Sequence, residues 1–438
     1  MRSTFASLAV RNFRLRFFGG ILGNTGTWMQ RVAQDWLVLT ALTAESGLAV
    51  GIVTALQFGP ALVLSPWAGL AADRLDRRKL LMATQSAQAV LALALGALVL
   101  ADAARLWHVY VLATALGAVT AFDGPANQTF VGQLVPARLL TNAVALNSAS
   151  FNVARLLGPA AAGLLVEAVG AGWVFLINAA SFAGTIGALA LIRVGELRRL
   201  PSAPARKGQI REGVRYVARR TDIVVIMVVI GVVSCLGLNS QITMAVMARQ
   251  VFHRQADGFG LLASAFAVGA RAGSLLAARR ERPRVRLVIG AAIAFGVLSG
   301  VSALSPSYLF YAVSGAAVGM ATLTLITAAN ATLQLGTAPA LRGRIMSLYN
   351  VVFLGSTPLG APFIGWVAQA WGPRWSIGIG AIASVLVGVG AAIWAKARWR
   401  VQMRLITLLP PHLAITNPAS DDPPPSDGQP PSDGPGPR

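Results

Sequence analysis

The feature that constrains this chain most is a recurrence of long apolar runs, separated by short polar stretches in which arginine is concentrated. A helix needs roughly 20 mainly apolar residues to cross a bilayer core. Twelve stretches meet that need: 17–41, 48–71, 80–101, 107–127, 143–168, 172–193, 222–247, 258–279, 287–305, 308–329, 345–370 and 375–396. The runs are too long and alternate too little for barrel strands, and lipid offers no partner to backbone groups left outside a helix. The expected fold is an all-α membrane protein with twelve transmembrane helices. Composition agrees, since charged residues make up only 12% of the chain, against about 25% in soluble domains. Mean hydropathy is +0.63.

The net charge of +21 invites a nucleic-acid reading, but the distribution argues against it. With the N-terminus inside, thirty of the 37 Lys and Arg residues fall in segments on the inner side. Only Arg105, Arg249, Arg254 and Arg374 fall in outer loops. Such asymmetry orients a membrane protein, so both termini are expected in the cytoplasm, with the lipid bilayer and no nucleic acid as partner. Arg2, Arg11, Arg14 and Arg16 precede a stretch interrupted by Arg31 and Asp35, which reads as a retained first span rather than a cleaved signal.

Residues 1–195 are expected to form one six-helix half, 196–220 a basic cytoplasmic linker, and 221–400 a second half. Residues 401–438, rich in proline, read as a disordered cytoplasmic tail. Within the linker, the stretch from Gln209 to Arg220 has an amphipathic pattern suited to the inner interface. The halves carry a weak duplication of the kind transporters show. Asn127, Pro136 and Asn147 match Asn330, Pro339 and Asn350 at an offset of 203, and Gly163, Ala168, Gly170 and Trp173 match Gly365, Ala370, Gly372 and Trp375 at 202.

After the second span the chain reads Gly69-Leu70-Ala71-Ala72-Asp73-Arg74-Leu75-Asp76-Arg77-Arg78-Lys79. This resembles the G-x-x-x-D-R-x-G-R-R signature of the major facilitator superfamily, with Asp76 in place of the glycine. Within that superfamily the chain is similar to the enterobactin-exporter-like and macrolide-efflux-like group, the transmembrane secretion effectors. The carrying segments are Trp28 to Leu37, Phe122 to Ala126 and Arg342 to Tyr349. The resemblance implies a secondary active transporter of two pseudo-symmetric six-helix halves, exporting a small amphiphilic molecule (drug, siderophore or secondary metabolite) by alternating access with the proton as coupling ion. An importer or facilitator, or a non-transporting membrane receptor or scaffold, remains the alternative on the same fold. The arginine that proton-coupled members carry in helix 4 has no counterpart in 107–127.

Several groups of residues are candidates for the mechanism. Asp73 ends the second helix, where the helix dipole disfavours negative charge; the N-terminal end of helix 11, with Arg342 and Arg344, offers compensation. Gly69, Asp73, Arg74, Arg77, Arg78, Arg342 and Arg344 are therefore the expected cytoplasmic gate. In helix 5, Gly158, Pro159 and Gly163 are similar to a motif of the superfamily's antiporters. Ala154, Gly158 and Ala162 form a small-residue ridge, expected to pack on Ala265, Gly269 and Gly273 of helix 8 across the interface between halves.

Helix 1 carries a polar stripe of Asn24, Trp28, Arg31 and Asp35, flanked by Thr27 and Gln34. An ionisable residue deep in a span costs about 2.5–3.5 kcal/mol even by lenient scales, so such residues tend to face a wet cavity. Asp35 is the candidate acidic centre of coupling, with Arg31, one turn away, and Arg155 of helix 5 as the arginines that keep it charged when paired with it; a self-neutralising Arg31–Asp35 pair is the alternative. Asn147, Asn152, Asn330, Asn178, Asn239 and Gln241 are further cavity candidates. Asp123, before Gly124-Pro125, reads as a helix terminus, and Glu167 as solvated. His108, His253 and His412 fall in loops or the tail, and the single Cys235 excludes a disulfide framework and a thiol metal site. No stretch matches G-x-x-x-x-G-K-[ST]. No catalytic constellation, cofactor site or metal site is expected; the chain does not read as an enzyme.

Overall fold

The computed structural model describes residues 5–198, 215–278, 285–337, 339–399, 402–406 and 412–416. Its helices follow the apolar runs. The first six spans are α1 (Arg11–Leu37), α2 (Gly47–Arg74), α3 (Arg77–Leu100), α4 (Leu106–Leu134), α5 (Leu140–Val169) and α6 (Ala171–Ala190). The seventh is broken into α7 (Thr221–Val232) and α8 (Ser240–Val246). Spans eight to ten are α9 (Ala256–Ala278), α10 (Val285–Ala303) and α11 (Tyr308–Leu335). The eleventh divides into α12 (Pro339–Gly355) and α13 (Thr357–Trp371), and α14 (Pro373–Trp399) is the twelfth.

Among the described residues, eleven helical segments are long and apolar enough to cross a membrane. The helix that falls short is α1. Its 27 residues reach ~40 Å at the usual rise per residue, but it carries the polar stripe. Its neighbours α5 and α6 cover it, and Gln30, Gln34 and Asp35 are buried there. Elsewhere the exposed side chains are those expected to meet lipid, such as Leu93, Val111, Leu164, Val313 and Leu386. Trp107, Trp173, Trp371 and Trp375 are also exposed. All four sit beside the connections at the end of the bundle remote from the start of α1, where an aromatic belt marks a membrane boundary.

That remote end shows the internal duplication in its backbone. Gly170 after α5 and Gly372 after α13 both have positive φ, 86° and 94°, a conformation open to glycine without strain. The first and seventh spans also finish alike. A π-turn, Val38–Leu42 or Met247–Val251, is followed by a left-handed residue, Glu45 (φ 57°) or His253 (φ 50°). In both, an N–H reaches back six residues, Glu45 to Leu39 O at 3.1 Å and Arg254 to Ala248 O at 2.8 Å.

Met1–Gly388 form one compact unit. The first six spans meet the last six along two seams, α2 against α13 and α5 against α9. Small residues make both seams close. A Cβ on Gly51 would collide with the Ala361 carbonyl, one on Gly163 would lie 2.6 Å from Ala256 O, and one on Gly260 would meet Pro159 O. The expected ridge pairing differs in its partners. Gly158 of the α5 ridge faces Trp28 and Thr25 of α1, while Gly269 and Gly273 of α9 face Ala316 and Met320 of α11. The α5–α9 seam is instead made by the next residues round α5, Pro159 and Gly163.

Val389–Arg438 form a separate unit, holding the end of α14. In the segment expected to be a disordered tail, the described residues form a hairpin of β1 (Gln402–Ile406) and β2 (His412–Thr416), with Arg404 opposite Ala414. The apolar alternation of Met403 and Leu405 with Leu413 and Ile415 gives strand period. The expected linker lies largely outside the described residues; 215–219 are helical.

Candidate functional site

The break in the seventh span begins a cavity. After α7 the helix widens into a π-turn, Val233–Gly237, and unwinds at Leu238 and Asn239 before α8. Such irregular backbone inside a membrane is tolerated where protein or a cavity covers it, and Leu236, Leu238, Asn239 and Gln241 all line a cavity of about 370 Å³ between the two sets of spans. Its other wall comes from α1, α2 and α5: Trp28, Arg31, Phe58, Phe151 and Arg155.

Trp28 organises that wall. The Arg31 guanidinium lies 4.9 Å from the centre of its indole and the Arg155 guanidinium 5.4 Å. Arg31 also sits 5.4 Å from the Phe58 ring, and Phe151 meets the indole edge-on at 6.0 Å. Cations over aromatic faces gain electrostatic attraction that strengthens with desolvation. The wall from the last six spans is of another kind, with Ser234, Asn239, Thr243, Ser299 and Ser302 among apolar Phe266 and Phe295.

Of the candidates named in the sequence, the cavity takes Trp28, Arg31, Arg155, Asn239 and Gln241. Asp35 and Gln34 are buried, with 4% and 2% of their surface exposed, and Gln34 Nε2 has no protein partner. Asp35 does not line the cavity. It acts on Arg31 through its charge, yet no ion pair joins the two among the described residues. Asn24, Asn147, Asn152 and Asn330 lie away from the cavity. Asn152 donates to Ser148 O in its own helix at 2.8 Å, and Asn330 accepts from Gln334 at 3.0 Å. Asn178 bonds Gln30 at 2.5 Å. Among the described residues no three His, Cys, Asp or Glu side chains gather as a metal site.

At the expected cytoplasmic gate, Asp73 lies in the last turn of α2, and its side chain is outside the described residues. Gly69 has open space around it and Arg74 is exposed. Asp76 caps α3, accepting from Lys79 N–H at 2.9 Å, so an N-cap takes the place of the glycine usual at this position. Arg77 donates to Ala72 O at 3.2 Å. Arg78 donates to Leu189 O at 2.7 Å and Ala190 O at 3.0 Å, the last carbonyls of α6, where a cation is favoured. Arg342 and Arg344 lie in α12, and Arg342 Nε is buried without a partner.

Two polar clusters went unread in the sequence. Asp123 is not at a helix end: α4 continues through Pro125 to Leu134. Inside the bundle Asp123 accepts from Thr84 at 2.7 Å and Gln85 at 2.9 Å. Near it Arg16, also buried, donates to Asn127 at 2.6 Å. The second cluster closes the remote end of the bundle across the two sets of spans. Arg249 pairs with Glu45 at 2.7 Å, Gln250 donates to the Glu45 carbonyl at 2.8 Å, and Ser46 donates to Gln369 at 2.8 Å. Nothing in the order of residues links Glu45 to a partner some two hundred residues away; the only available signal was an acidic loop residue facing the few outer arginines.

Relatives and solved structures agree with this architecture. The chain is 26% identical to the staphyloferrin A transporter of Staphylococcus aureus over 56% of its own length and 61% of that protein's, so it spans under two thirds of that relative. It is also 26% identical to the multidrug efflux pump Tap of Mycolicibacterium fortuitum, over 88% of this chain and 96% of the pump. The fold is shared with a bacterial homologue of the human lysosomal transporter Spinster, at a TM-score of 0.66, 17% identity, and 88% and 95% of the two chains. The profile of the transmembrane secretion effectors matches residues 2–406. From end to end of its helical bundle, the chain belongs to the transmembrane secretion effector family of multi-pass membrane transporters.

Proposed function

We propose that this protein is a secondary active exporter of small amphiphilic organic molecules, working by alternating access in a bacterial plasma membrane and exchanging protons for substrate. The observation that carries the reading is the cavity between the two sets of spans, walled by Arg31 and Arg155 on one side and by hydroxyl and amide groups on the other. It lies behind an end sealed by Glu45, Arg249 and the two glycine seams. A midplane site at the interface of two repeats is the arrangement that rocking of the repeats can expose to either side. The name of one relative, a multidrug efflux pump, favours export.

In this reading both termini are cytoplasmic and the sealed end is external. Asp73 meets the start of α12, with Arg342 and Arg344, when the cytoplasmic side closes. Asp35 is the proton-exchanging carboxylate, because its compensation by arginine changes with the transport state and a driving ion must bind the two states differently. Accumulation of fluorescent amphiphiles in cells with and without the protein tests the export claim. Lower accumulation in expressing cells, abolished when the proton gradient is collapsed, is expected; equal or higher accumulation contradicts it.

A further inference from the structure

We infer that the cavity selects organic anions, specifically molecules with a carboxylate head and an aromatic or aliphatic body. The inference rests on the transporter reading of the cavity and adds the charge of what it takes. Among the described lining residues there is no Asp, Glu, Lys or His; the charged groups are Arg31 and Arg155 alone. Both guanidiniums sit within 5.4 Å of one indole centre, near enough for their charges to oppose each other. Neither forms an ion pair with a carboxylate or donates a hydrogen bond to the protein among the described residues. Asp35, outside the cavity lining, offsets part of the charge of Arg31.

A site of this kind has a net positive charge and unused donors arranged in planar forks. A carboxylate matches a guanidinium fork with two parallel hydrogen bonds, stronger than bonds between neutral groups. A cation entering the same cavity meets two like charges and no acid. The aromatic floor of Trp28, Phe58 and Phe151 and the opposite wall with Phe266 and Phe295 accommodate an apolar body once the head is anchored.

Three probes of one shape separate charge from hydrophobicity: 2-naphthoate, 2-naphthamide and 2-naphthylmethylammonium. Calorimetric titration of the purified full chain, in nanodiscs of zwitterionic lipid and without any gradient, should show naphthoate binding about tenfold or more tighter than the amide, and the ammonium weakest. Arg155→Gln should bring naphthoate and amide to near-equal affinity, and Arg155→Lys should restore a preference for naphthoate; thermal unfolding of each variant checks that the bundle is intact. Equal binding of all three, preference for the ammonium, or no binding of naphthoate overturns the inference. Because binding is read without transport, a carboxylate preference in a protein that exports nothing would refute the exporter reading and leave this one standing. Export restricted to cationic or neutral compounds would do the reverse.

Discussion

Trp28 holds two guanidinium groups near one indole, Arg31 at 4.9 Å and Arg155 at 5.4 Å, and Asp35, one turn beyond Arg31, lies outside the cavity lining. This arrangement separates the acid from the substrate and keeps it within the electrostatic reach of Arg31. In proteoliposomes with an imposed pH gradient, Asp35→Asn is expected to lose nearly all uphill transport and to keep exchange down a substrate gradient. Uphill transport at the unaltered rate would remove Asp35 from the coupling step. A second prediction concerns Arg16, whose Nε has no partner and whose Nη2 depends on Asn127 at 2.6 Å. Asn127→Ala should lower stability by about 1.5–3 kcal/mol, the usual worth of a hydrogen bond to a charged group; an unchanged thermal midpoint would contradict this. At this scale the sequence marks Arg31, Asp35 and Arg155, because each puts a charge inside an apolar run; the two arginines line the cavity, and Asp35 is buried outside its lining. It was uninformative for Asp123, because a following Gly-Pro suggests a helix end and only tertiary packing carries α4 past it. Glu45 and Arg249 were hidden for a different reason: both sit beside loops, where charge is unremarkable until the fold brings them together.

Helix positions follow from the length of each apolar run, because lipid leaves the backbone no alternative. Breaks within a span are less legible. Residues 222–247 look continuous, yet the helix widens at Val233–Gly237 and unwinds at Leu238 and Asn239. The reason appears only in three dimensions: Gly360 of α13 packs so closely that a Cβ there would collide with the Cys235 carbonyl inside that π-turn. The partner of a small-residue ridge is hidden for the same reason, since glycine spacing marks a close approach without naming which helix approaches. Gly360→Ala is accordingly expected to destabilise the bundle by about 1–3 kcal/mol through overpacking. Gly187→Ala, with nothing within 4 Å of the added atom, should be neutral or slightly stabilising, as helix propensity dictates. Thermal unfolding in detergent reads both, and equal effects at the two positions would contradict the packing account.

At the scale of the whole molecule, the first six spans meet the last six along two seams, with the cavity between them. The duplication legible in Gly170 and Gly372, and repeated in the turns at Glu45 and His253, gives the sets related frames. The Arg249–Glu45 pair is partly exposed, 33% and 38%, so it contributes only about 0.2–1 kcal/mol. A pair that weak adds to the seal made by the glycine seams without locking the end, which suits the proposed alternating access. The most direct test is to lock it. Ser46 and Gln369 face each other across the seam, hydrogen-bonded at 2.8 Å. In a Cys235→Ser background, Ser46→Cys with Gln369→Cys should cross-link under mild oxidation, abolish export, and regain it on reduction, while each single variant transports normally. Export that continues undiminished through the cross-linked protein would show that substrate does not leave by the opening of this end, and would contradict the account.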